Sequence, residues 1–248
     1  MNYKNILLTL VCIIVIILLV LLVNIKILSD IGLNNIINKN SLISTDPVLN
    51  PDNFKECRIL KKYWKIINKE AQDIINKKLN KDITQDVLFQ NLTHDKWTKF
   101  YIKWGEIDPD AKNYMPFTTH LLNLLPNIKT GFLSILEPGS KIKPHNGPYS
   151  GFLRIHLGLD TPEDENCFIM VSGKKLIWKN GKIILFNDTY QHFVENNTNK
   201  RRIILFCDLV RPTKIPIKAD IYNNIIMNLT WRNNRNKKSW VNMFPQLN

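Results

Sequence analysis

Cysteine is scarce in this chain of 248 residues, with only four in all. They show neither a CxxC pair nor the Cys/His spacing of zinc sites. The cysteines therefore imply neither a zinc site nor a disulfide framework, although a single disulfide stays open. The four positions are Cys12, Cys57, Cys167 and Cys207.

The sequence also lacks a long basic run interleaved with aromatic residues, although its net charge is +13. The lysines are scattered in pairs such as Lys61-Lys62 and Lys237-Lys238. This pattern argues against nucleic acid as a partner. A mild attraction to anionic lipid head groups is the better interpretation of the charge.

One apolar run without charge, residues 6–23, stands near the amino terminus. A helix of about 20 such residues spans the hydrocarbon core of a bilayer. A cleaved signal peptide would have a shorter apolar region ending in a small-residue cleavage site, whereas Asn24, Ile25 and Lys26 follow here. We therefore predict one N-terminal transmembrane helix within an anchor over residues 1–28.

The side of the membrane is poorly marked, because Lys4 lies before the apolar run and Lys26 and Lys39 lie after it. A lumenal or outer location of the body is expected only from the general habit of such anchors. The polar, Asn-rich residues 29–53 are predicted to be a tether.

The rest of the chain divides into helical and β-rich parts. Three- and four-residue apolar spacing predicts a helix within residues 54–78, and shorter helices are predicted over 117–125 and from Ala219. We assign residues 54–129 to a helical part of the body and residues 213–248 to a C-terminal helical extension.

Residues 130–212 are predicted to form the mainly β core. Close-spaced short strands separated by turn signals are typical of a sandwich or jelly roll. The predicted strands are 130–136, 151–159, 167–172, 174–178, 182–187 and 202–210.

Two of these strands carry arginine. With a side-chain period of two, the apolar residues of 151–159 point to one face, while Arg154 and His156 point to the other. A buried guanidinium is costly without an anionic partner, so a protein carboxylate or an acidic ligand must pair with Arg154. Arg202 begins the last strand, where it either points into a barrel mouth or is a surface residue beside Arg201.

Two of the five histidines lie at strand–loop junctions, where jelly-roll metal sites collect their ligands. His145 is in KPHNGP, just before a predicted strand, and His192 is in FNDTYQH, just after one. A single histidine at such a place is more often structural, but two beside a strand with Arg154 and His156 favour a metal site.

At these residues the chain resembles a known family. The segments are EPGSKIKPHNGPYSGFLRIHLGLDTP and WKNGKIILFNDTYQHFVENNTNKRRIILFCDLVRP. They resemble the two signatures of the aspartyl/asparaginyl β-hydroxylases, and the HxGP, LRxHLGL and F-x-D-[ST]-[FY]-x-H elements occur in order. The resemblance covers residues 97–212, and bacterial hydroxylases of lipid A acyl chains share it.

The resemblance implies a double-stranded β-helix (jelly roll) in which His145 and His192 are the catalytic ligands of Fe(II). It implies that Arg202 pairs with the distal carboxylate of the co-substrate 2-oxoglutarate. The further positions implied to line the co-substrate pocket are Ser134, Arg154 and His156. Gly147 stands where most 2-oxoglutarate oxygenases have a carboxylate ligand, and glycine is the rule there in this family.

The resulting hypothesis is an Fe(II)- and 2-oxoglutarate-dependent dioxygenase that hydroxylates the β-carbon of aspartyl or asparaginyl residues in a protein. A hydroxylase of lipid acyl chains is a rival hypothesis, which the anchor and the basic surface also suit. A non-catalytic jelly-roll binding module displayed on a membrane is a second rival, and a structural membrane protein is a third. Asp188 and Trp178, which also match the signatures, are expected to be structural.

Overall fold

Two antiparallel β-sheets form the body of the protein. The computed structural model describes residues 32–79, 81–82, 96–216, 219–225 and 227. Its strands are β1 (Val48–Leu49), β2 (Lys81–Asp82), β3 (Trp97–Trp104), β4 (Glu106–Ile107), β5 (Ile128–Leu136), β6 (Lys141–His145), β7 (Phe152–Asp160), β8 (Cys167–Val171), β9 (Lys174–Ile177), β10 (Ile183–Phe186), β11 (His192–Asn196) and β12 (Arg202–Val210).

The larger sheet has the order β1-β10-β7-β12-β5-β3-β2, with β4 paired to β3, and the smaller sheet has the order β6-β11-β8-β9. From β5 to β12 the chain passes back and forth between the two sheets. This is the path expected of the predicted double-stranded β-helix, and the mainly antiparallel β architecture is confirmed.

The described residues include these α-helices beside the sheets: α1 (Leu33–Lys39), α2 (Lys55–Lys62), α3 (Trp64–Asn76), α4 (Pro109–Tyr114) and α5 (Pro116–Asn123). Residues 219–225 are also helical. The helix predicted within 54–78 is divided at Tyr63, which caps α3.

Successive side chains of β7 and β12 point to opposite faces of the larger sheet, and the two faces pack against different parts of the protein. Leu153, Ile155 and Leu157 join the main core beneath helices α2 to α5, together with the odd-numbered residues of β12. The even-numbered residues face the smaller sheet, where Leu136 and Ile204 pack with residues such as Val194. The face assignments made from the period of two are therefore confirmed.

Strand β3 lies in the part of the chain for which we predicted only helices, residues 54–129. It pairs with β5 over most of its length, and Phe100 and Ile102 belong to the main core. Lysines at positions 99 and 103 interrupt the apolar alternation that would mark β3 as a strand in the sequence, although both side chains are buried. Lys103 is tolerated because its Nζ donates to the carbonyl oxygen of Leu122, 2.8 Å away near the end of α5.

The predicted tether differs most from what we expected. We call residues 33–50 the N-terminal strap. Leu33 and Ile37 of α1 are buried, Ser41 forms a β-bridge with Thr213, and β1 pairs with β10. The strap is therefore packed on the body, because a few apolar side chains and many backbone hydrogen bonds compensate for its polar, Asn-rich composition.

Within the described residues, none of the helices has the length and apolar character needed to cross a membrane. The predicted anchor, residues 1–28, lies outside the part of the chain that the structure describes.

Candidate metal and co-substrate site

The two candidate metal ligands come from distant parts of the sequence and meet in the smaller sheet. Strand β6 ends at His145, strand β11 begins at His192, and the antiparallel pairing of these strands makes the two residues register partners. Their ring centroids are 4.1 Å apart. The sequence analysis placed both histidines correctly at the boundary between a strand and a loop. It did not predict β6 and β11, the strands to which they belong.

Hydrogen bonds to the backbone orient both imidazole rings. Nδ1 of His145 lies 2.7 Å from the carbonyl oxygen of Lys143, and Nδ1 of His192 lies 2.8 Å from that of Tyr190. A carbonyl oxygen can only accept, so each Nδ1 carries the hydrogen and each Nε2 keeps its lone pair. This is the tautomer that metal-binding histidines use.

Burial also keeps the two rings neutral. It lowers the pKa of His145, with a further contribution from the positive charge of Arg154. Burial and then the neighbouring His145 lower the pKa of His192 to about 3. Neutral imidazoles with a free lone pair are suitable ligands for a divalent metal. The tautomer and the neutral state of His145 and His192 therefore fit an iron(II) ion.

The carboxyl group of Asp188 occupies the space beside Gly147. A Cβ atom at position 147 would overlap with Cγ and Oδ2 of Asp188, and the Gly147 amide donates to the Asp188 carbonyl oxygen at 2.6 Å. Burial raises the pKa of Asp188 to about 6, although Arg154 opposes the shift. No group of three His, Cys, Asp or Glu side chains in the described ranges converges on a metal position.

Placing a carboxylate at position 147 is therefore expected to damage the site. Gly147→Asp should lower the free energy of unfolding by about 1–3 kcal/mol, as overpacked substitutions do, and should weaken metal binding. Chemical denaturation and metal titration of Gly147→Asp and Gly147→Ala test this steric argument. Tighter metal binding by Gly147→Asp than by the wild type would show that the new carboxylate joins the ligand set instead.

The Arg202 side chain lies between the two sheets and is 1% exposed. Its Nη2 donates to Oγ of Ser134 at 3.0 Å, and the guanidinium carbon lies 4.8 Å from the centre of the Trp178 ring. No carboxylate of the described chain forms an ion pair with it, and its Nε is buried without a hydrogen-bond partner there. Burial lowers its pKa to about 10. A buried guanidinium without a protein carboxylate favours an anionic ligand. Because Arg202 is buried, the interpretation of it as a surface residue is wrong.

Arg154 has protein partners, unlike Arg202. Its Nη2 lies 2.6 Å from Oδ2 of Asp188 and its Nε lies 2.9 Å from Oδ1 of Asp208. The guanidinium also stacks on Phe206 at 4.4 Å. Of the two partners that the sequence analysis left open for Arg154, the structure shows protein carboxylates, and direct contact with a co-substrate stays a prediction.

These ion pairs lead to a prediction about stability. Arg154→Met leaves two carboxylates without their cation, and breaking a buried pair from one side costs about 3–5 kcal/mol. We expect a loss of that size in the free energy of unfolding at neutral pH, measured by urea denaturation. The double variant Arg154→Met/Asp188→Asn should recover part of it, and no recovery would contradict the pairing.

His156 lies close to Arg154 and Arg202 on the same face of the larger sheet. It is buried, and neither ring nitrogen has a hydrogen-bond partner within the described chain. Burial, followed by the positive charges of Arg202 and Arg154, brings its pKa well below the ordinary value. The ring is therefore neutral and available to a ligand.

All six site residues predicted from the sequence line one cavity of about 30 Å³: Ser134, His145, Arg154, His156, His192 and Arg202. Trp97 also lines it, and its Nε1 donates to Oγ of Ser134 at 2.9 Å. The sequence analysis missed Trp97 because β3 was not recognised.

Two neutral imidazoles therefore face each other in a cavity that is also lined by a buried guanidinium without a carboxylate partner in the described chain. The sequence profile described as aspartyl/asparaginyl β-hydroxylase matches residues 61–212. The chain belongs to this family, which places it among the hydroxylases.

Individual relatives fall into two groups. The ornithine lipid ester-linked acyl 2-hydroxylase of Rhizobium tropici is 32% identical over 77% of this chain and 69% of its own length. The human aspartyl/asparaginyl β-hydroxylase is 30% identical over 63% of this chain, which spans only 21% of the human protein. A solved prolyl-4-hydroxylase of Pseudomonas putida aligns over 61% of this chain and 87% of its own, with 11% identity and a TM-score of 0.42.

Proposed function

We propose that the protein is an Fe(II)- and 2-oxoglutarate-dependent hydroxylase. In this proposal His145 and His192 hold the iron through Nε2, and Arg202 with Ser134 binds the distal carboxylate of 2-oxoglutarate. The observation that carries the proposal is the buried Arg202 guanidinium, which lacks a carboxylate partner in the described chain and lines the same cavity as both imidazoles. Bound iron, 2-oxoglutarate and O2 supply the oxidation that hydroxylates an unactivated carbon.

The residues of the chain contribute placement and shielding. The bonds from Nδ1 to the Lys143 and Tyr190 carbonyl oxygens fix the two rings. Trp97 fixes the Ser134 hydroxyl, which in turn accepts from Arg202. Phe186 lies 5.2 Å from the His192 ring and keeps water from that side.

Succinate production by the purified full-length protein tests the proposed chemistry. We expect 2-oxoglutarate to be converted to succinate only with Fe(II) present, so that a chelator stops the reaction and added Fe(II) restores it. Succinate can be followed by NMR. If the protein binds Fe(II) and 2-oxoglutarate but forms no succinate, even with candidate substrates added, a non-catalytic binding module is favoured instead.

We further propose that the substrate is a lipid acyl chain and not an aspartyl or asparaginyl side chain. The side chains around the cavity support this choice. From the cavity a series of aromatic rings crosses the larger sheet. Phe206 and Phe132 are stacked at 4.1 Å, and Tyr101 lies 5.2 Å from Phe132. Of these rings Phe206 lines the cavity, together with Ile142, Ile169 and Val194, and an apolar lining of this kind suits an acyl chain. Two cations lie beside these rings: Arg154, which is already paired with two carboxylates, and Lys99, whose Nζ is 4.5 Å from the centre of the Phe132 ring.

The relatives support the same choice, because the similarity extends over most of the Rhizobium lipid hydroxylase and over about a fifth of the human protein. Mass spectrometry distinguishes the two substrate classes. Acyl lipids, including ester-linked ornithine lipids, and Asp- or Asn-containing peptides would be incubated with the protein, Fe(II) and 2-oxoglutarate. We expect a gain of one oxygen atom in an acyl chain, and a gain only in peptides would favour the β-carbon hydroxylase.

We also propose that residues 6–23 anchor the protein in a membrane, with the body on the lumenal or outer side. The support is the uncharged apolar run in the sequence. The full chain should stay in the membrane fraction after an alkaline wash, and a variant lacking residues 1–28 should be released. Protease protection of the body in sealed vesicles tests the orientation.

A further inference from the structure

The N-terminal strap holds both loops that carry the candidate iron ligands. One loop, residues 146–151, follows His145, and the other, residues 187–191, precedes His192. The strap lies outside residues 61–212, to which the family profile applies. Three independent attachments connect it to these loops.

The first attachment is Asn34 of α1, which binds the loop after His145 in both directions. Oδ1 of Asn34 accepts from the Ser150 amide at 2.9 Å, and its Nδ2 donates to the Pro148 carbonyl oxygen at 3.2 Å. The Ser150 hydroxyl donates to the Asn34 carbonyl oxygen at 3.3 Å. One side chain thus fixes two backbone positions within five residues of His145.

The second attachment runs through Arg211, just after β12. Its Nε donates to the Ser150 carbonyl oxygen at 2.7 Å and its Nη1 donates to the Ser44 carbonyl oxygen at 3.1 Å. Arg211 is 1% exposed. It therefore links the strap to the same loop from inside the protein.

The third attachment reaches the loop before His192. The Asn187 amide donates to the Pro47 carbonyl oxygen at 2.9 Å, and Asn187 Nδ2 lies 3.4 Å from the Thr45 carbonyl oxygen. Val48 then pairs with Phe186 in β10. The strap thus fixes the chain between β10 and Asp188, directly before the turn that leads to His192.

We propose that the N-terminal strap is a positioning element of the metal site. By attaching to both loops, it fixes the separation of the two imidazoles before a metal binds. A site with only two protein ligands depends strongly on such preorganisation, because outer partners of metal ligands contribute about 10–100-fold to affinity. Asn34 is the central positioning residue, and this inference rests on the proposed metal-binding function.

Substitutions in α1 of the full-length protein test the inference. The dissociation constant for Co(II), a spectroscopic substitute for Fe(II), should rise about fivefold or more in Asn34→Ala. Asn34→Asp keeps the acceptor for the Ser150 amide and should have a smaller effect. Asn35→Ala, a change at the exposed neighbour in the same helix, should bind Co(II) as the wild type does.

Hydrogen exchange and thermal unfolding of the metal-free proteins separate positioning from general stability. In Asn34→Ala, amide exchange should become faster in residues 146–151, while residues 187–191, which the strap holds through Pro47, and the strands of the larger sheet keep their protection. A lower melting temperature with unchanged Co(II) affinity and unchanged loop exchange would overturn the inference. If the wild type itself does not bind Co(II), the proposed function fails, and loop exchange still decides whether the strap orders the loops.

Discussion

The double substitution His145→Ala/His192→Ala is expected to abolish Fe(II)-dependent formation of succinate from 2-oxoglutarate. Among the described residues, these are the only two imidazoles whose rings are in contact, with His192 buried and His145 half-buried. Loss of an outer partner alone costs about 10–100-fold in affinity or activity, so loss of both ligands should cost more. His192→Ala by itself should remove most of the activity.

The measurements are succinate formation by NMR and Co(II) titration by absorbance. His120→Ala is the matched control, because this histidine lies on the exposed face of α5. Both histidines of the site are neutral in the metal-free protein, so their replacement should leave the fold intact, as circular dichroism would show. Succinate formation at the wild-type rate by the double variant would remove the metal assignment.

Local patterns in the sequence indicated part of this site, and the family resemblance implied the roles of its residues. The period of two in β7 and β12 separates Arg154 and His156 from the apolar face, and the structure keeps that separation. The junction positions of His145 and His192 were also visible. What brings these residues together is the pairing of β6 with β11, a long-range contact that no local pattern specifies.

The partners of the two arginines could not be predicted for the same reason. Arg154 pairs with Asp188 and Asp208, which lie 34 and 54 residues further along the chain. Their carboxylates are acceptors for Arg154 only because β12 lies beside β7 and the loop after β10 folds over Gly147. Arg154 and Arg202 therefore have different electrostatic roles, which their positions in the sequence do not specify.

Polar composition hid two further elements. Strand β3 carries Lys99 and Lys103 at buried positions, so its alternation is not apparent, and Trp97 was missed with it. The strap was predicted to be a tether because it is rich in asparagine. Its order comes from hydrogen bonds made by Asn34 and by backbone groups to distant loops, and composition carries no information about such contacts.

Arg202→Met is expected to raise the KM for 2-oxoglutarate far more than it lowers stability. The buried guanidinium contacts Ser134 and Trp178 but no carboxylate in the described part of the chain, so an apolar side chain of similar length leaves no protein carboxylate unpaired. Removing one partner of a buried charge pair with a ligand costs about 2–5 kcal/mol, which corresponds to about 30-fold to several thousandfold in affinity.

Arg201→Met is the matched control for Arg202→Met, because the Arg201 side chain is 45% exposed and its Nε lies 3.8 Å from Glu137. It should leave the KM unchanged. Calorimetric titration with 2-oxoglutarate and with monocarboxylic pyruvate gives the sharpest comparison. The wild type should bind the dicarboxylate much more tightly than pyruvate, and Arg202→Met should lose that preference because the distal carboxylate has lost its cation. If Arg202→Met keeps the preference while Arg154→Met loses it, the distal carboxylate binds at Arg154, and the ion pairs of Arg154 with Asp188 and Asp208 must open when the co-substrate enters.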